Sequence, residues 1–213
     1  MRFRDRAEAG RELAGLLSDA HARGDLADPL VLALPRGGVA VAEPIARALG
    51  VPLDVLIVRK IGAPHHQEFA VGALAADDPP LFDPDTLDRL GLTEASLAPA
   101  VERERRELRR REERYRGERP APEPAGRSVI VVDDGLATGA TARAALRHVR
   151  RRRPARLVLA VPVGAPGALD LLAAEADIVL CPHRPADFTA VGQWYEDFEQ
   201  LDDDQVLAAL RDR

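Results

Sequence analysis

The chain contains no asparagine, and it has one cysteine, one methionine, one tryptophan and one lysine among its 213 residues. Each scarcity excludes something. The lone Cys181 cannot form an internal disulfide, so no cystine framework stands in for a core, and such a residue is expected as a small buried hydrophobe with no catalytic role. No apolar run approaches the roughly 20 residues needed to cross a bilayer. The opening stretch MRFRDRAEAGRELAGLL has no apolar centre of the kind a secretion signal carries. A cytoplasmic location without membrane contact is therefore expected. The formal net charge of −5 argues against a large nucleic-acid-binding face, which needs a clear basic excess. Of the 30 basic residues only Lys60 is not arginine. Scarce Asn, Cys and Met with abundant Arg, Glu and Pro fit a heat-adapted source or a GC-rich genome. Either origin makes a single lysine conspicuous.

What is present is ample apolar content, 46%, in a length typical of one α/β domain. One domain over residues 1–213 is expected. Leu13, Leu16, Leu17 and Ala20 recur at helical spacing with Arg11, Glu12 and Asp19 opposite them, which predicts an amphipathic opening helix over 7–20. The runs 30–34 and 53–58 flank an Ala- and Leu-rich stretch, 40–49, that ends at Gly50; this reads as a βαβ unit. Unbroken apolar runs at 129–132, 157–163 and 178–180 show no polar alternation, the mark of strands covered on both faces, with helices expected at 141–152 and 168–176. The alternation predicts an α/β fold with a doubly wound, mainly parallel sheet flanked by helices.

Two stretches do not read as core. Residues 61–80, with Gly62, Pro64, His65, His66, Gly72 and Asp77 to Pro80, have the composition of a mobile loop over a site. Adjacent His65 and His66 with Glu68 lack the i,i+4 spacing of a helical metal motif, so a metal there is not expected. Residues 93–117 interleave charges at i,i+3 and i,i+4 spacing, which predicts a solvated helix inserted in the domain. Pro120, Pro122 and Pro124 then return the chain to the sheet.

The most informative stretch is VIVVDDGLATGAT at 129–141: a buried strand, two adjacent carboxylates, then a small-residue turn that opens a helix. Small side chains let backbone N–H groups converge on a phosphate at a helix N-terminus, with Thr138 and Thr141 adding hydroxyls. Asp133 and Asp134 fall at a strand's carboxyl end, where open α/β sheets bind ligands, and carboxylates there can accept ribose hydroxyls. The turn lacks the Gly-Lys-Ser/Thr ending of a P-loop and the G-x-G-x-x-G spacing of a dinucleotide site. An acidic pair after a strand also occurs in Mg²⁺-binding response-regulator-like folds, but there it lies near the N-terminus. Leu34-Pro35-Arg36-Gly37-Gly38 follows the first strand and reads either as an ordinary turn or as a second anion loop. Arg59 and Lys60 end the second run, two cations at the same sheet edge, and read either as solvated or as partners of an anion. The stretch 185–198 gathers Phe188, Trp194, Tyr195 and Phe198, which either stack on a heterocycle or pack among themselves.

Residues 129–141 resemble the binding motif for 5-phosphoribosyl 1-pyrophosphate (PRPP) in type I phosphoribosyltransferases: four apolar residues, two acids and a loop ending in Thr-Gly-x-Thr. The wider stretch PRGGVAVAEPIARALGVPLDVLIVRKIGAPHHQEFAVGAL is similar to a bacterial group of such proteins whose acceptors are generally undefined. The resemblance spans most of residues 30–200. It implies PRPP and Mg²⁺ as partners, a small-molecule acceptor, a C-terminal hood over 181–199 and a homodimer. It implies that Asp133 and Asp134 engage the ribose 2′ and 3′ hydroxyls and, through them or water, the metal. Ala137, Thr138, Gly139, Ala140 and Thr141 would wrap the 5′-phosphate. Arg36, Gly37, Gly38 and Lys60 would bind pyrophosphate, with Arg59 and Lys60 joining the two acids as the catalytic set. Phe188, Val191, Trp194 and Tyr195 would face the acceptor. Hypoxanthine and guanine transferases carry an acid where this chain has Ala137, which disfavours a 6-oxopurine acceptor. The rival readings are a non-catalytic PRPP-binding regulator using Arg109–Arg111 and Arg150–Arg153 on nucleic acid, and a pyrophosphokinase, for which no ATP motif is present.

Overall fold

The computed structural model describes residues 2–64, 66–199 and 201–211, with the side chains of residues 66–68 outside that description. In chain order the elements are α1 (Arg6–Ala22), β1 (Pro29–Ala33), α2 (Gly37–Leu49), β2 (Leu53–Val55), β3 (Val58–Ala63), β4 (His66–Ala75), β5 (Leu81–Phe82) and α3 (Pro84–Leu90). There follow α4 (Glu94–Arg116), β6 (Ser128–Val132), α5 (Ala140–Arg151), β7 (Arg156–Ala160), α6 (Pro166–Leu172), β8 (Ile178–Leu180), a 3₁₀ turn (Val191–Trp194) and α7 (Asp203–Arg211). Five strands form one parallel sheet in the order β2-β1-β6-β7-β8, and β3-β4-β5 form a separate antiparallel ribbon.

The unbroken apolar runs become strands with two buried faces. In β1 and β6, Val31, Ala33, Ile130 and Val132 pack with Leu13 and Leu17 of α1 and Ile45 of α2. Their neighbours Leu30, Leu32, Val129 and Val131 point the other way, onto Leu146 and Val149 of α5 and Leu169 and Leu172 of α6. Period-two alternation thus feeds two cores, and each fully buried Leu or Ile contributes roughly 1.5–3 kcal/mol. The doubly wound parallel fold expected from the sequence is the one observed.

Three expectations are corrected. The apolar run 53–58 divides between two sheets: β2 stops at Val55, and β3 starts at Val58 in the ribbon. Leu56 and Ile57 are buried on the way, and a run that is apolar throughout carries no periodic mark of where one strand ends. Residues 61–80 are not an irregular loop. Most of them build β4 against β3, and Gly72 is there because a Cβ would lie 2.7 Å from the Phe82 ring and 2.8 Å from the Leu81 carbonyl oxygen. The far end is anchored, since the Asp78 carboxylate meets His148 Nδ1 at 3.0 Å and Arg151 at 3.1 Å. His65, and the side chains of His66 and Glu68, lie outside the described residues. The helix expected over 93–117 forms, with Thr93 and Ser96 in a capping box, but it is not simply solvated: Leu97, Leu108 and Tyr115 join the core.

Helices α1 and α2 carry the segments that reach the site, and they cross closely at Gly10, where a Cβ would sit 2.4 Å from the Val41 carbonyl oxygen. Backbone cannot yield as a flexible side chain would. Gly10→Ala is expected to destabilise the protein by about 1–3 kcal/mol, an overpacking cost, read as a lower urea midpoint with an unchanged slope.

Candidate active site

The helix after β1 lies on one face of the sheet and the helix after β6 on the other, as their separate cores require. The carboxyl ends of β1 and β6 therefore open a crevice at a topological switch point, the usual ligand site of an open α/β sheet. Both chain exits carry the residues singled out by sequence.

From β1, the Leu34 N–H donates to the Val132 carbonyl at 2.8 Å, after which the chain turns through Pro35, Arg36 and Gly37. Gly38 serves by fit: a Cβ would meet the Val132 carbonyl oxygen at 2.7 Å and the Asp133 Cα at 3.1 Å, so only glycine lets the two exits touch. From β6 come Asp133 and Asp134, then Gly135 to Gly139. Gly139, at φ 75°, is the N-cap of α5, and the Ala140 N–H points to the Thr138 hydroxyl at 3.5 Å. Ala137 and Thr138 are exposed, and Thr141, in the first turn of the 12-residue helix behind them, lines the crevice.

A cavity of about 510 Å³ occupies the crevice. Arg36, Gly37, Arg59, Lys60, Asp133, Asp134 and Thr141 all line it, which brings together residues from three separate stretches. Arg59 and Lys60 arrive on β3 of the ribbon rather than at the parallel sheet's edge, the place the sequence reading assigned them. The opposite wall was not foreseen. It is α4, contributing Arg103, Glu104 and Arg111. Arg59 donates through Nε and Nη2 to Glu104 at 3.0 and 2.8 Å, and Arg103 reaches the same carboxylate at 3.3 Å. The Arg36 and Lys60 side chains make no hydrogen bond or ion pair with another described residue. They are the uncommitted cations of a cleft with five basic and three acidic linings.

Burial, and then the neighbouring Asp134, push the Asp133 carboxyl well above its ordinary value near 3.8, against the pull of Lys60 and Arg6. Burial raises Asp134 as well, and Arg6 opposes it. Arg6 was also missed by sequence reasoning. Its Nε donates to Asp134 Oδ2 at 2.8 Å from 128 residues away.

The hood divides. Phe188 and Trp194 stack on each other at 6.4 Å, and Val191 packs over Gly135. Tyr195 corrects its assignment to the acceptor: it is 4% exposed, packs on Phe3 and Phe198, and donates to the Asp134 carbonyl at 2.6 Å. Burial and the adjacent acids push its phenol pKa far up, so it acts as a fixed donor. None of these four residues lines the main cavity. Six of the arginines read as a possible nucleic-acid face make ion pairs: Arg110 and Arg111 with Glu107, Arg109 with Asp77, Arg150 with Asp177, and Arg151 and Arg152 with Asp78. No described helix is long and apolar enough to cross a membrane.

Fold and crevice together define an open-sheet α/β protein with a cleft rich in basic side chains and an acid pair in its lining. The chain belongs to the phosphoribosyl transferase family: the model of the phosphoribosyl transferase domain matches residues 3–193. It is 42% identical over 208 residues to the Mycobacterium tuberculosis H37Rv protein Rv0571c, a match covering 98% of this chain and 46% of that protein. The chain thus spans about half the length of this curated relative. The crystal structure of TT1426 from Thermus thermophilus is 46% identical and superposes with a TM-score of 0.82, covering 100% of this chain and 99% of that one. The structure of AQ2163 from Aquifex aeolicus, at 14% identity, a TM-score of 0.50 and coverage of 85% and 77%, shares the fold alone.

The raised Asp133 carboxyl has a consequence for stability. A carboxyl whose folded pKa lies above its unfolded value is neutral in both states at low pH, and it weakens the folded state increasingly as pH rises from the unfolded value to the folded one. Asp133→Asn keeps the oxygen that accepts the Asp134 N–H at 2.9 Å and removes the charge. It is expected to raise the midpoint of thermal unfolding of the ligand-free protein at pH 8 by about 2–4 °C, the shift for ~1 kcal/mol in a chain of this size. The gain shrinks toward pH 4, and melting curves at the two pH values check it.

Proposed function

We propose that the chain binds PRPP with Mg²⁺ and transfers the 5-phosphoribosyl group to a nitrogenous base, releasing pyrophosphate. The observation that carries this reading is the meeting of the Pro35–Gly38 turn, the Asp133–Asp134 pair, Lys60 and the start of α5 on one cationic cleft at the switch point.

The 5′-phosphate is assigned to Ala137–Thr141, where the first N–H groups of α5 and the Thr138 and Thr141 hydroxyls are available. The ribose hydroxyls are assigned to the acid pair. Pyrophosphate is assigned to Arg36, Lys60 and the Gly37 backbone, with Arg103 and Arg111 across the cleft. Glu104 keeps Arg59 and Arg103 on that wall.

Among the described residues no three metal-ligating side chains cluster, and the site offers a pair of carboxylates. That donor set fits Mg²⁺, which is commonly held by one or two carboxylates and completed by substrate phosphates and water. Asp133 and Asp134 would hold it directly or through ribose hydroxyls, and when bound it would neutralise charge on the leaving group. The chain's own residues do the rest. As the bond from C1 to the pyrophosphate oxygen breaks, its electron pair leaves with pyrophosphate and C1 takes on oxocarbenium character. Preorganised Arg36 and Lys60 charges, with backbone N–H groups of the turn, stabilise that developing negative charge. A lone pair of the acceptor then forms the new bond to C1 from the opposite face, with inversion. With Tyr195 committed behind Asp134, acceptor contacts from the hood are assigned to Phe188, Val191 and Trp194.

Calorimetric titration with PRPP and Mg²⁺ is the direct check. Wild type is expected to bind, and Asp133→Ala/Asp134→Ala to lose binding. In a screen of bases, one is expected to stimulate pyrophosphate release. Binding without release for any base would support the regulator instead, and no binding by wild type would overturn the reading. Lys60→Ala is expected to weaken inorganic pyrophosphate binding about 10- to 100-fold, the loss of a charged hydrogen bond worth roughly 1.5–3 kcal/mol, and to reduce its salt dependence.

A further inference from the structure

The acid pair is served by a residue that no motif contains. Arg6 opens α1, immediately after the Asp5 N-cap, and is 7% exposed. Its guanidinium is used on every side. Nε donates to Asp134 Oδ2 at 2.8 Å, Nη1 donates to the Glu199 carbonyl at 2.8 Å, and the Phe198 ring lies 3.9 Å from the guanidinium carbon. Tyr195 holds the same acid from behind through its backbone carbonyl. The arrangement is stitched together by the chain's first residues. Phe3 N–H donates to the Trp194 carbonyl, and the Glu196 and Asp197 N–H groups donate to the Phe3 and Arg4 carbonyls, each at 2.8 Å.

Two features show that this pair is more than a surface ion bridge. The side chains are 8% and 16% exposed, so neither charge is well solvated and the contact is strong as well as directional. The carboxylate also lies against the turn after β1. A Cβ on Gly37 would fall 2.0 Å from Asp134 Oδ2 and 3.0 Å from Arg6 Nε, so the pair occupies the volume that glycine leaves open. A guanidinium with one donor on the acid, another on a carbonyl and its face on an aromatic ring has a single orientation, which lysine cannot reproduce.

We propose that Arg6 is a positioning residue of the PRPP site: its bond to Oδ2 sets the direction of the Asp134 carboxylate, so that this acid meets the ligand in one orientation. This rests on the PRPP-binding reading above and adds to it the N-terminal helix and the hood as parts of the site. Without Arg6, the Asp134 carboxylate loses the side chain that holds Oδ2 in place and is free to turn away from the ligand. The guanidinium also ties the hood's end, through Glu199 and Phe198, to the acid that meets ribose.

The test is a double-mutant cycle on PRPP affinity with Mg²⁺, measured by calorimetry. Arg6→Gln is expected to weaken PRPP binding about 10- to 100-fold, the usual effect of removing a group that orients a ligating side chain. In an Asp134→Asn background the same change is expected to alter affinity less than about threefold, because no charge remains to be held. Arg6→Lys should fall between wild type and Arg6→Gln. Inorganic pyrophosphate, which has no ribose, should bind Arg6→Gln and wild type within about threefold. Unchanged PRPP affinity in Arg6→Gln, or losses that simply add in the cycle, would overturn the assignment. Loss of pyrophosphate binding together with PRPP binding would show a merely structural role and overturn it too. The Arg6→Gln/Asp134→Asn protein leaves no unpaired charge and keeps the cycle readable if the single variant folds poorly. A wild-type protein that binds no PRPP would instead overturn the underlying reading, and this assignment with it.

Discussion

Two neighbouring carboxylates held largely out of water at the end of β6 are the least comfortable feature of this protein, and much of the surrounding structure accommodates them. Withdrawing an ion from solvent costs several kcal/mol even after relaxation. Asp134 is compensated by Arg6 from α1, while Asp133 has the Asp134 N–H and the longer-range pull of Lys60 and Arg6, and burial still shifts it toward its neutral form. Burial therefore makes the charged form of Asp133 costly to the folded state. Such strain is typical of sites where charge is held ready for a ligand that brings cations of its own.

Compensation for that acid pair recruits both ends of the chain. The N-terminal residues pair with 194–197 along a short bridge, the hood closes over Gly135 through Val191, and Tyr195 reaches the Asp134 carbonyl. A segment whose aromatic content suggested a stacking surface thus spends one of its rings on support. The glycines follow the same logic: Gly37 leaves room for the Asp134 carboxylate, and Gly38 lets the β1 and β6 exits touch. The Pro35–Gly38 turn and an acid pair from opposite halves of the chain can share one cleft only at that closeness.

The charged helix α4 has two jobs on two sides. Leu97, Leu108 and Tyr115 hold it to the core, and Tyr115 donates to Asp203 of α7. The other side supplies Arg103, Glu104 and Arg111 to the cleft. Glu104 holds Arg59 of the ribbon on the cleft wall, so a helix dense in compensating charges supplies two arginines and a glutamate opposite Arg36 and Lys60. Anchoring of Asp78 by His148 and Arg151 fixes the ribbon's other end to α5, the helix that begins at the phosphate turn.

What could be read from the sequence was whatever is local. Continuous apolar runs specify strands buried on both faces, alternating helices specify the doubly wound arrangement, and the contiguous turn at 133–141 carries its own chemistry because a helix start and its N–H groups are set within a few residues. Lys60 was conspicuous by rarity alone. The ribbon escaped notice because Gly72, read as a loop former, is there to let strands approach, and the strand break at Leu56 escaped because both halves are equally apolar. Arg6, Glu104 and the inward turn of Tyr195 had no local signal: one arginine on an amphipathic helix or one glutamate in a charged run looks like any other. By itself the sequence determined the sheet, the phosphate turn and the identity of the two acids. Tertiary structure alone decided which cations stand beside those acids and which aromatic rings remain free, because these pairings join segments 45 to 128 residues apart that only the packing of α1, α4 and the hood around the sheet brings within hydrogen-bond reach.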